Sequence, residues 1–308
     1  MKISSLVAVT LLSFSTYANH EWNPDAYHQN SESQRAEAYR ILDEHTFSPD
    51  HHVLDIGCGD GKITAHIAQN KVPNGRVTGL DISPAMIDYA ITNFADKVGE
   101  RLTFTAEDVQ NITAENKYDV VTSFYAMQWV PNQQEALSRI HKALRPEGKL
   151  IISMPATYPR EMAEALSAMM YNDKWNSYFA NFNSGLTFHE QTNYVSLLKD
   201  AGFENVKVSL LPVYDTFASK ETFTNFVRQW LPHLQAIPAD KRDAFMTEFI
   251  DTYLAKAPTH LDADGKVTFY RETLKANAIK PAVMVAVEQP AEPMAEPVES
   301  TDTPHQEL

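Results

Sequence analysis

Short apolar runs alternate with segments of helical spacing along the first half of the chain. The apolar runs predict five strands, at residues 52–57, 76–82, 102–108, 118–126 and 149–154. Between them, the apolar spacing predicts helices at residues 62–69, 84–95 and 133–144. The helix at 84–95 has a suitable start, because Ser83 can cap it and Pro84 suits its first turn. This alternation predicts a parallel sheet with helices on both faces.

The second half of the chain has a different order of elements. Helices are predicted at residues 160–171, 194–201, 220–234 and 239–257, and strands at 205–213 and 266–280. We expect these last two strands to form an antiparallel pair that closes one edge of the sheet. The predicted fold class is therefore α/β, with a mostly parallel seven-stranded sheet, an antiparallel edge strand and an extra helical cap.

The two ends of the chain differ from its body. Lys2, a short apolar run over residues 3–14 and small residues up to Ala18 predict a signal peptide at residues 1–18. The run is too short for a comfortable membrane span, so we expect export to the periplasm or beyond, with a cytoplasmic location as the alternative. Residues 281–308 are rich in Pro and Glu and lack Lys and Arg, which predicts a disordered acidic tail.

The predicted domain therefore spans residues 19–280. Its core segments are predicted at residues 38–156, 193–213 and 266–280. The helical cap is predicted to come from residues 20–37, 157–192 and 214–265.

Composition narrows the possible partners. The formal net charge of −14 argues against nucleic acid, because its phosphates repel an acidic surface. Cys58 is the single cysteine, so an intrachain disulfide and a zinc site built on cysteines are both excluded. We expect no metal and a small-molecule substrate. Composition does not determine the oligomeric state.

The stretch VLDIGCGDG, residues Val53–Gly61, is a candidate ligand loop at the end of the first predicted strand. A phosphate-binding P-loop requires Gly-Lys-Ser/Thr, but Ile63 follows Gly61-Lys62. A dinucleotide fingerprint requires a third glycine where Lys62 stands. The pattern is instead D-x-G-x-G-x-G, in which an acid precedes glycines that let a ligand lie against bare backbone.

Acidic residues follow three successive predicted strands. Asp55 precedes the glycines and suits a cationic group, Asp81 can accept from two ribose hydroxyls, and Asp108 can meet an adenine amino group. Each acid alone has an alternative as a solvated loop residue or helix cap. The three together indicate a ligand with an amine, a ribose and an adenine.

With these motifs, the sequence resembles the S-adenosylmethionine-dependent methyltransferases of the Rossmann-like class. The resemblance covers residues 22 to about 280 and rests on VLDIGCGDG, VTGLDIS and AEDV. The stretch beginning YDVVTSFYAMQWVPNQQEALSRIH is similar to juvenile hormone acid O-methyltransferases, and Trp22-Asn23-Pro24 is similar to trans-aconitate methyltransferases.

The resemblance implies S-adenosylmethionine as cofactor and assigns residues to it. The implied cofactor-binding residues are Asp55, Gly57, Cys58, Gly59, Asp81, Ile82, Asp108 and Val109. Cys58 would occupy a variable slot in the loop and would not be a nucleophile.

The resemblance also implies an acceptor site. The implied substrate-binding residues are Tyr27, Gln34, Gln128 and Trp129, of which Gln34 and Trp129 would hold the substrate carboxylate during catalysis. The alternatives are core packing for Trp129 and a solvated helix position for Gln34. Members of the first family often carry His before this tryptophan. This chain instead has Gln128 there, and in this it is similar to the aconitate enzymes. We expect Phe124 and Tyr125 to be packing residues.

The predicted function is therefore methylation of the carboxylate of a small organic or apolar acid. A carboxylate is ionised at neutral pH, so catalysis needs alignment more than a strong base. Another small-molecule acceptor, such as a quinone, sterol or amine, is the first alternative. A module that binds S-adenosylmethionine without catalysis is the second.

Overall fold

The computed structural model of the protein describes residues 22–282. The predicted signal peptide, and the predicted tail from residue 283 onward, lie outside the described residues and stay predictions. The seven strands are β1 (His52–Ile56), β2 (Arg76–Asp81), β3 (Leu102–Ala106), β4 (Tyr118–Phe124), β5 (Leu144–Pro155), β6 (Glu204–Phe217) and β7 (Val267–Ile279).

Ten α-helices surround the sheet within the described range. They are α1 (Pro24–Asn30), α2 (Glu32–Asp43), α3 (Lys62–His66), α4 (Pro84–Ala90), α5 (Asp96–Val98), α6 (Gln133–Ala143), α7 (Arg160–Met170), α8 (Gln191–Asp200), α9 (Lys220–Trp230) and α10 (Arg242–Lys256). Ser83 caps α4 as predicted, since its side chain accepts from the Met86 N–H. Ser219 and Thr222 form a capping box that begins α9.

The sheet order is β3-β2-β1-β4-β5-β7-β6. Strands β1 to β5 run parallel, and β7 lies antiparallel between β5 and β6. The chain builds outward from β1 to β3 and then returns to β4 on the other side of β1. This reversal opens a crevice at the carboxyl ends of β1 and β4, where ligands bind in open α/β sheets. The predicted α/β class and the antiparallel strand pair are confirmed.

Several predicted boundaries differ from the structure. The strand predicted from residue 149 begins at Leu144, because the chain leaves α6 directly into pairing with Tyr118. The strand predicted to end at residue 213 continues to Phe217, which pairs with Val267. Pro212 does not end β6, since an edge strand tolerates a missing N–H donor. The helix predicted at 84–95 is α4 followed by a π-helical turn, Ile91–Ala95.

Three clusters of buried apolar side chains hold the molecule together. One packs α6 and α8 against one face of the sheet, and another packs α2 and α3 against the other face. The third is formed largely by α7, α9, α10 and the start of β7, and is rich in aromatic residues. This third cluster gives the helical cap a core of its own beside the end of the crevice. No helix within residues 22–282 is long and apolar enough to cross a membrane.

The core of the cap makes a prediction about stability. Phe249→Ala removes a side chain that is wholly buried in α10, so we expect the free energy of unfolding to fall by about 3–5 kcal/mol. The control is Tyr214→Ala, at an aromatic residue that is 68% exposed, where the change should stay within about 0.5 kcal/mol. Urea denaturation of both variants measures the difference; equal losses would contradict a separate cap core.

Candidate active site

The glycine loop follows β1 at the mouth of the crevice. Gly57, Gly59 and Gly61 all have left-handed backbone conformations, with φ of 68°, 53° and 82°. Gly57 has the least space for a side chain of these three glycines, because an added Cβ would lie 2.0 Å from the Cβ of Ala126. The N–H groups of Gly57 and Cys58 both donate to the Leu80 carbonyl. The loop is therefore tied to β2, and glycine is required for its path.

Asp81 connects the loop to the end of β2. Its carboxylate accepts from the N–H of Gly59 at 2.9 Å and from the N–H of Ser83 at 2.9 Å. Burial raises the pKa of Asp81, and hydrogen bonds from the backbone N–H groups of Ser83, Gly59 and Ile82 oppose this shift. A carboxylate has further lone pairs, so Asp81 can still accept from a ligand hydroxyl.

A cavity of about 380 Å³ opens beside this loop, a size within the range of small-molecule sites. Six of the eight predicted cofactor residues line it: Gly57, Gly59, Asp81, Ile82, Asp108 and Val109. Ile82 is 52% exposed, which is high for a large apolar side chain and suits a flat ring system lying against it. We call this space the donor cavity.

The side chain of Asp108 folds back onto its own loop. Its Oδ1 accepts from the N–H of Gln110 at 2.9 Å, and its Oδ2 accepts from the Gln110 side-chain amide at 3.0 Å. The neighbouring Val109 is buried. Asp108 thus lies at the donor cavity and caps the short 3-10 helix that follows it, and its predicted contact with an adenine stays a prediction.

The other two predicted cofactor residues, Asp55 and Cys58, lie outside the donor cavity. They border a small cavity of about 10 Å³, together with Tyr27 and Gln34. Asp55 is 2% exposed, and its two oxygens accept from the hydroxyls of Thr64 and Thr122, each at 2.7 Å. Burial raises the pKa of Asp55 to about 6. Its predicted contact with the cofactor therefore stays a prediction.

Cys58 is buried, and burial raises the pKa of its thiol. The thiol is therefore neutral and unsuited to nucleophilic attack. A Cβ added at Gly79 would lie 3.0 Å from its Sγ.

Helix α1 packs over the glycine loop. Asn23 caps this helix by accepting from the Ala26 N–H at 3.0 Å. The ring of Tyr27 lies 3.5 Å from the position of a Cβ added at Gly59. His28 contacts Asp60 at 2.7 Å, and this pair fastens α1 to the glycine loop.

A second cavity, of about 70 Å³, adjoins the donor cavity and extends under the cap. Trp22, Tyr27, Tyr125 and Trp129 line both cavities, so they form the wall between them. The remaining lining is mostly apolar and aromatic, with Pro155, Thr157, Tyr158, Pro159, Leu186, Phe188, Phe226, Trp230 and Phe269. We call this space the acceptor cavity.

The four predicted acceptor residues all lie at the acceptor cavity. Tyr27 and Trp129 are in the shared wall, whereas Gln34 and Gln128 line the acceptor cavity and do not line the donor cavity. Both glutamines are buried, and their amide oxygens have no hydrogen-bond partner within the described chain. The structure thus places Gln34 away from solvent, and its role in substrate binding stays a prediction.

Tyr125 was expected to be a packing residue, but it lies in the shared wall. Its backbone is left-handed, with φ of 57°, which is rare for a tyrosine. Its hydroxyl donates to Glu37 and accepts from Arg271 Nε at 3.1 Å. Its carbonyl accepts from the Gln128 side-chain amide at 2.7 Å. Tyr125 therefore fixes Gln128 while being fixed itself by buried charges.

Sequence reasoning did not single out Arg271 and Glu37. Arg271 is on β7 and Glu37 on α2, and no local motif joins them. Arg271 lines the acceptor cavity, and its Nη2 lies 3.0 Å from the carboxylate of Glu37. No group of His, Cys, Asp and Glu within residues 22–282 has an arrangement that could hold a metal ion.

Comparison with known proteins identifies the family. A family model described as a methyltransferase domain matches residues 47–209. The chain is 29% identical to juvenile hormone acid O-methyltransferase of Drosophila melanogaster over 246 residues, which cover 74% of this chain and 82% of that protein. It is 34% identical to trans-aconitate 2-methyltransferase of Deinococcus radiodurans over 147 residues, covering 48% and 54%.

A solved structure with a similar fold is phosphoethanolamine N-methyltransferase 2 of Haemonchus contortus, in complex with S-adenosylmethionine. The TM-score is 0.55 at 18% identity, and the match covers 84% of this chain and 56% of that one. The family match spans β1 to β5 and the glycine loop and includes most of the residues that line the donor cavity. The chain belongs to the methyltransferase domain family, in the Rossmann-like class of S-adenosylmethionine-dependent enzymes.

Proposed function

We propose that this methyltransferase transfers a methyl group from S-adenosylmethionine to the carboxylate of a small apolar acid. The observation that carries the proposal is the shared wall. A cavity lined by the cofactor motifs meets a mostly apolar cavity at Tyr27, Tyr125 and Trp129. Two uncharged amides, on Gln34 and Gln128, line the acceptor cavity.

The donor cavity has the groups that S-adenosylmethionine requires. Asp81 offers a carboxylate to the ribose hydroxyls, and Asp108 and Ile82 offer a polar edge and an apolar face to the adenine. Gly57 and Gly59 leave the backbone open toward the remaining part of the ligand. We propose that the amino-acid end of S-adenosylmethionine points toward the small cavity beside Asp55.

The acceptor cavity suits an anion bound by neutral donors. Side-chain amides at Gln34 and Gln128, and the indole N–H of Trp129, can orient a carboxylate without neutralising it. A lysine or arginine clamp would bind the acid more tightly but would weaken it as a nucleophile. Arg271 is the one charged residue among the described residues that line the cavity, and its charge is already paired with carboxylates.

The chemistry needs little from acid–base groups. S-adenosylmethionine supplies a methyl group activated by its sulfonium, which an ionised carboxylate oxygen can take by direct displacement. Tyr27, Tyr125 and Trp129 then have to align the acid and keep water away, which are the main sources of rate in such a reaction. The aromatic wall and the cover provided by α1 are suited to both tasks.

The names of the relatives support an acid as the acceptor. One is named for juvenile hormone acid and another for trans-aconitate, and both names denote methylation of an acid. These two acids differ greatly in polarity. The apolar lining of the acceptor cavity favours the less polar type for this chain.

Asp81→Ala tests the assignment of the donor cavity. We expect the Kd for S-adenosylmethionine to rise by at least about tenfold, because charge-assisted hydrogen bonds are lost. Calorimetry measures the Kd, and the matched control is Asp88→Ala at an exposed position of α4. An unchanged Kd for Asp81→Ala would remove Asp81 from the cofactor site.

The raised pKa of Asp55 gives a pH-dependent prediction. With a pKa of about 6, roughly half of this carboxyl group is protonated at pH 6 and almost none at pH 8. An ammonium group bound nearby favours the ionised form, so binding of S-adenosylmethionine should release about half a proton at pH 6 and none at pH 8.

Calorimetry in buffers of different ionisation enthalpy measures this release. Asp55→Asn should abolish it, which separates Asp55 from Asp81, whose pKa is also raised. Identical heats in all buffers at pH 6 would show that the amino group binds elsewhere.

Gln34→Ala tests the acceptor site. We expect kcat/KM for decanoate to fall by about tenfold, because one hydrogen bond to an ionised group is lost, with the Kd for S-adenosylmethionine unchanged. Gln69→Ala, at an exposed position, is the control and should keep wild-type kinetics. Turnover of amines or phenols but of no carboxylic acid would refute the proposed reaction.

A further inference from the structure

A buried cluster of charges lies against the acceptor cavity. Arg271 is 5% exposed and lines the cavity, and it forms ion pairs with Glu37 on α2 and Asp215 on β6. Glu37 is buried, and the side chain of Asp215 is 17% exposed. Three elements that are distant in sequence therefore meet at one guanidinium.

The guanidinium of Arg271 forms ion pairs at Nη1 and Nη2 and hydrogen bonds at Nη2 and Nε. Nη1 pairs with Asp215, Nη2 contacts Glu37 and the hydroxyl of Ser33 at 3.0 Å each, and Nε donates to Tyr125 at 3.1 Å. The guanidinium is thus held in place from four sides. It is part of the lining of the acceptor cavity and is not placed to clamp a substrate carboxylate.

The formal charge of the cluster is negative. One guanidinium faces two carboxylates, which leaves a net charge of one negative unit beside a mostly apolar cavity. Charges in such a poorly solvated place interact more strongly than they would in water. An acceptor carboxylate near Gln34 and Gln128 meets amide groups, but a second carboxylate on the same molecule would meet apolar walls or this cluster.

We infer that Asp215, acting through Arg271, makes the acceptor site selective for acids with a single carboxylate. This inference rests on the proposed function, because it concerns which carboxylic acids the site takes. Asp215 is a positioning residue here, since it does not line the cavity itself. Glu37 alone balances the charge of Arg271, so Asp215 makes the cluster net negative and occupies Nη1, which could otherwise hold a second carboxylate of a di- or tricarboxylic acid.

The test compares decanoate with decanedioate, two acids of the same chain length. We expect the wild-type enzyme to prefer decanoate by at least about 100-fold in kcat/KM, because the second carboxylate is desolvated without a partner. Asp215→Asn leaves Arg271 with Glu37 as its single carboxylate partner. We expect this variant to lower the ratio of kcat/KM for decanoate to kcat/KM for decanedioate by about tenfold, because kcat/KM for decanedioate rises.

The controls separate this effect from a loss of stability. Asp243→Asn breaks an Asp–Arg pair at the surface, with Arg228, and should leave the ratio of the two acids unchanged. Asp215→Glu restores the charge and should restore most of the preference. The Tm of each variant and its Kd for S-adenosylmethionine show whether a general structural change has occurred.

These outcomes distinguish a failure of the proposed function from a failure of the role of Asp215. If neither acid is methylated, the proposed function is wrong, and the inferred role of Asp215 is then wrong as well. If decanoate is methylated but the wild type turns over both acids equally, or if Asp215→Asn leaves their ratio unchanged, the proposed function stands and the role of Asp215 is wrong.

Discussion

One carboxylate joins the two strand ends from which the donor cavity is built. Asp81 accepts from the Gly59 N–H in the loop after β1 and from the Ser83 N–H at the start of α4. This bridge acts together with the hydrogen bonds from Gly57 and Cys58 to the Leu80 carbonyl to fix the path of a loop with three left-handed glycines. The same carboxylate also faces the cavity, so the group that shapes the loop is placed to bind the ligand.

The acceptor side depends on a different arrangement, in which the cap and the sheet meet. Strands β6 and β7 extend past their neighbours, and this extension brings Arg271 and Asp215 to α2 and Tyr125. The strained backbone of Tyr125 persists because its hydroxyl is held by Glu37 and Arg271. The position of the wall between donor and acceptor therefore follows from buried charges that lie outside the glycine loop.

The sequence predicted well what local patterns encode. The order of strands and helices, the cap at Ser83 and the cluster of Asp81 and Asp108 at one edge follow from periodicity and from strand ends in a parallel sheet. It did not predict the network of Tyr125, Glu37 and Arg271. These residues are far apart in the chain and carry no motif, so their meeting depends on the completed β6–β7 pair. Nor did it show that threonine hydroxyls occupy both oxygens of Asp55.

Methyl transfer as proposed requires an acid in the acceptor cavity to point its carboxylate past the shared wall at the methyl donor. A crystal structure with S-adenosylhomocysteine and decanoate tests this orientation. We expect a carboxylate oxygen within about 3 Å of a side-chain nitrogen of Gln34 or Gln128, facing the homocysteine sulfur, with the alkyl chain under the aromatic cap. Decanoate bound with its carboxylate at the far end of the cavity, or bound outside the cavity, would show that the proposed orientation is wrong.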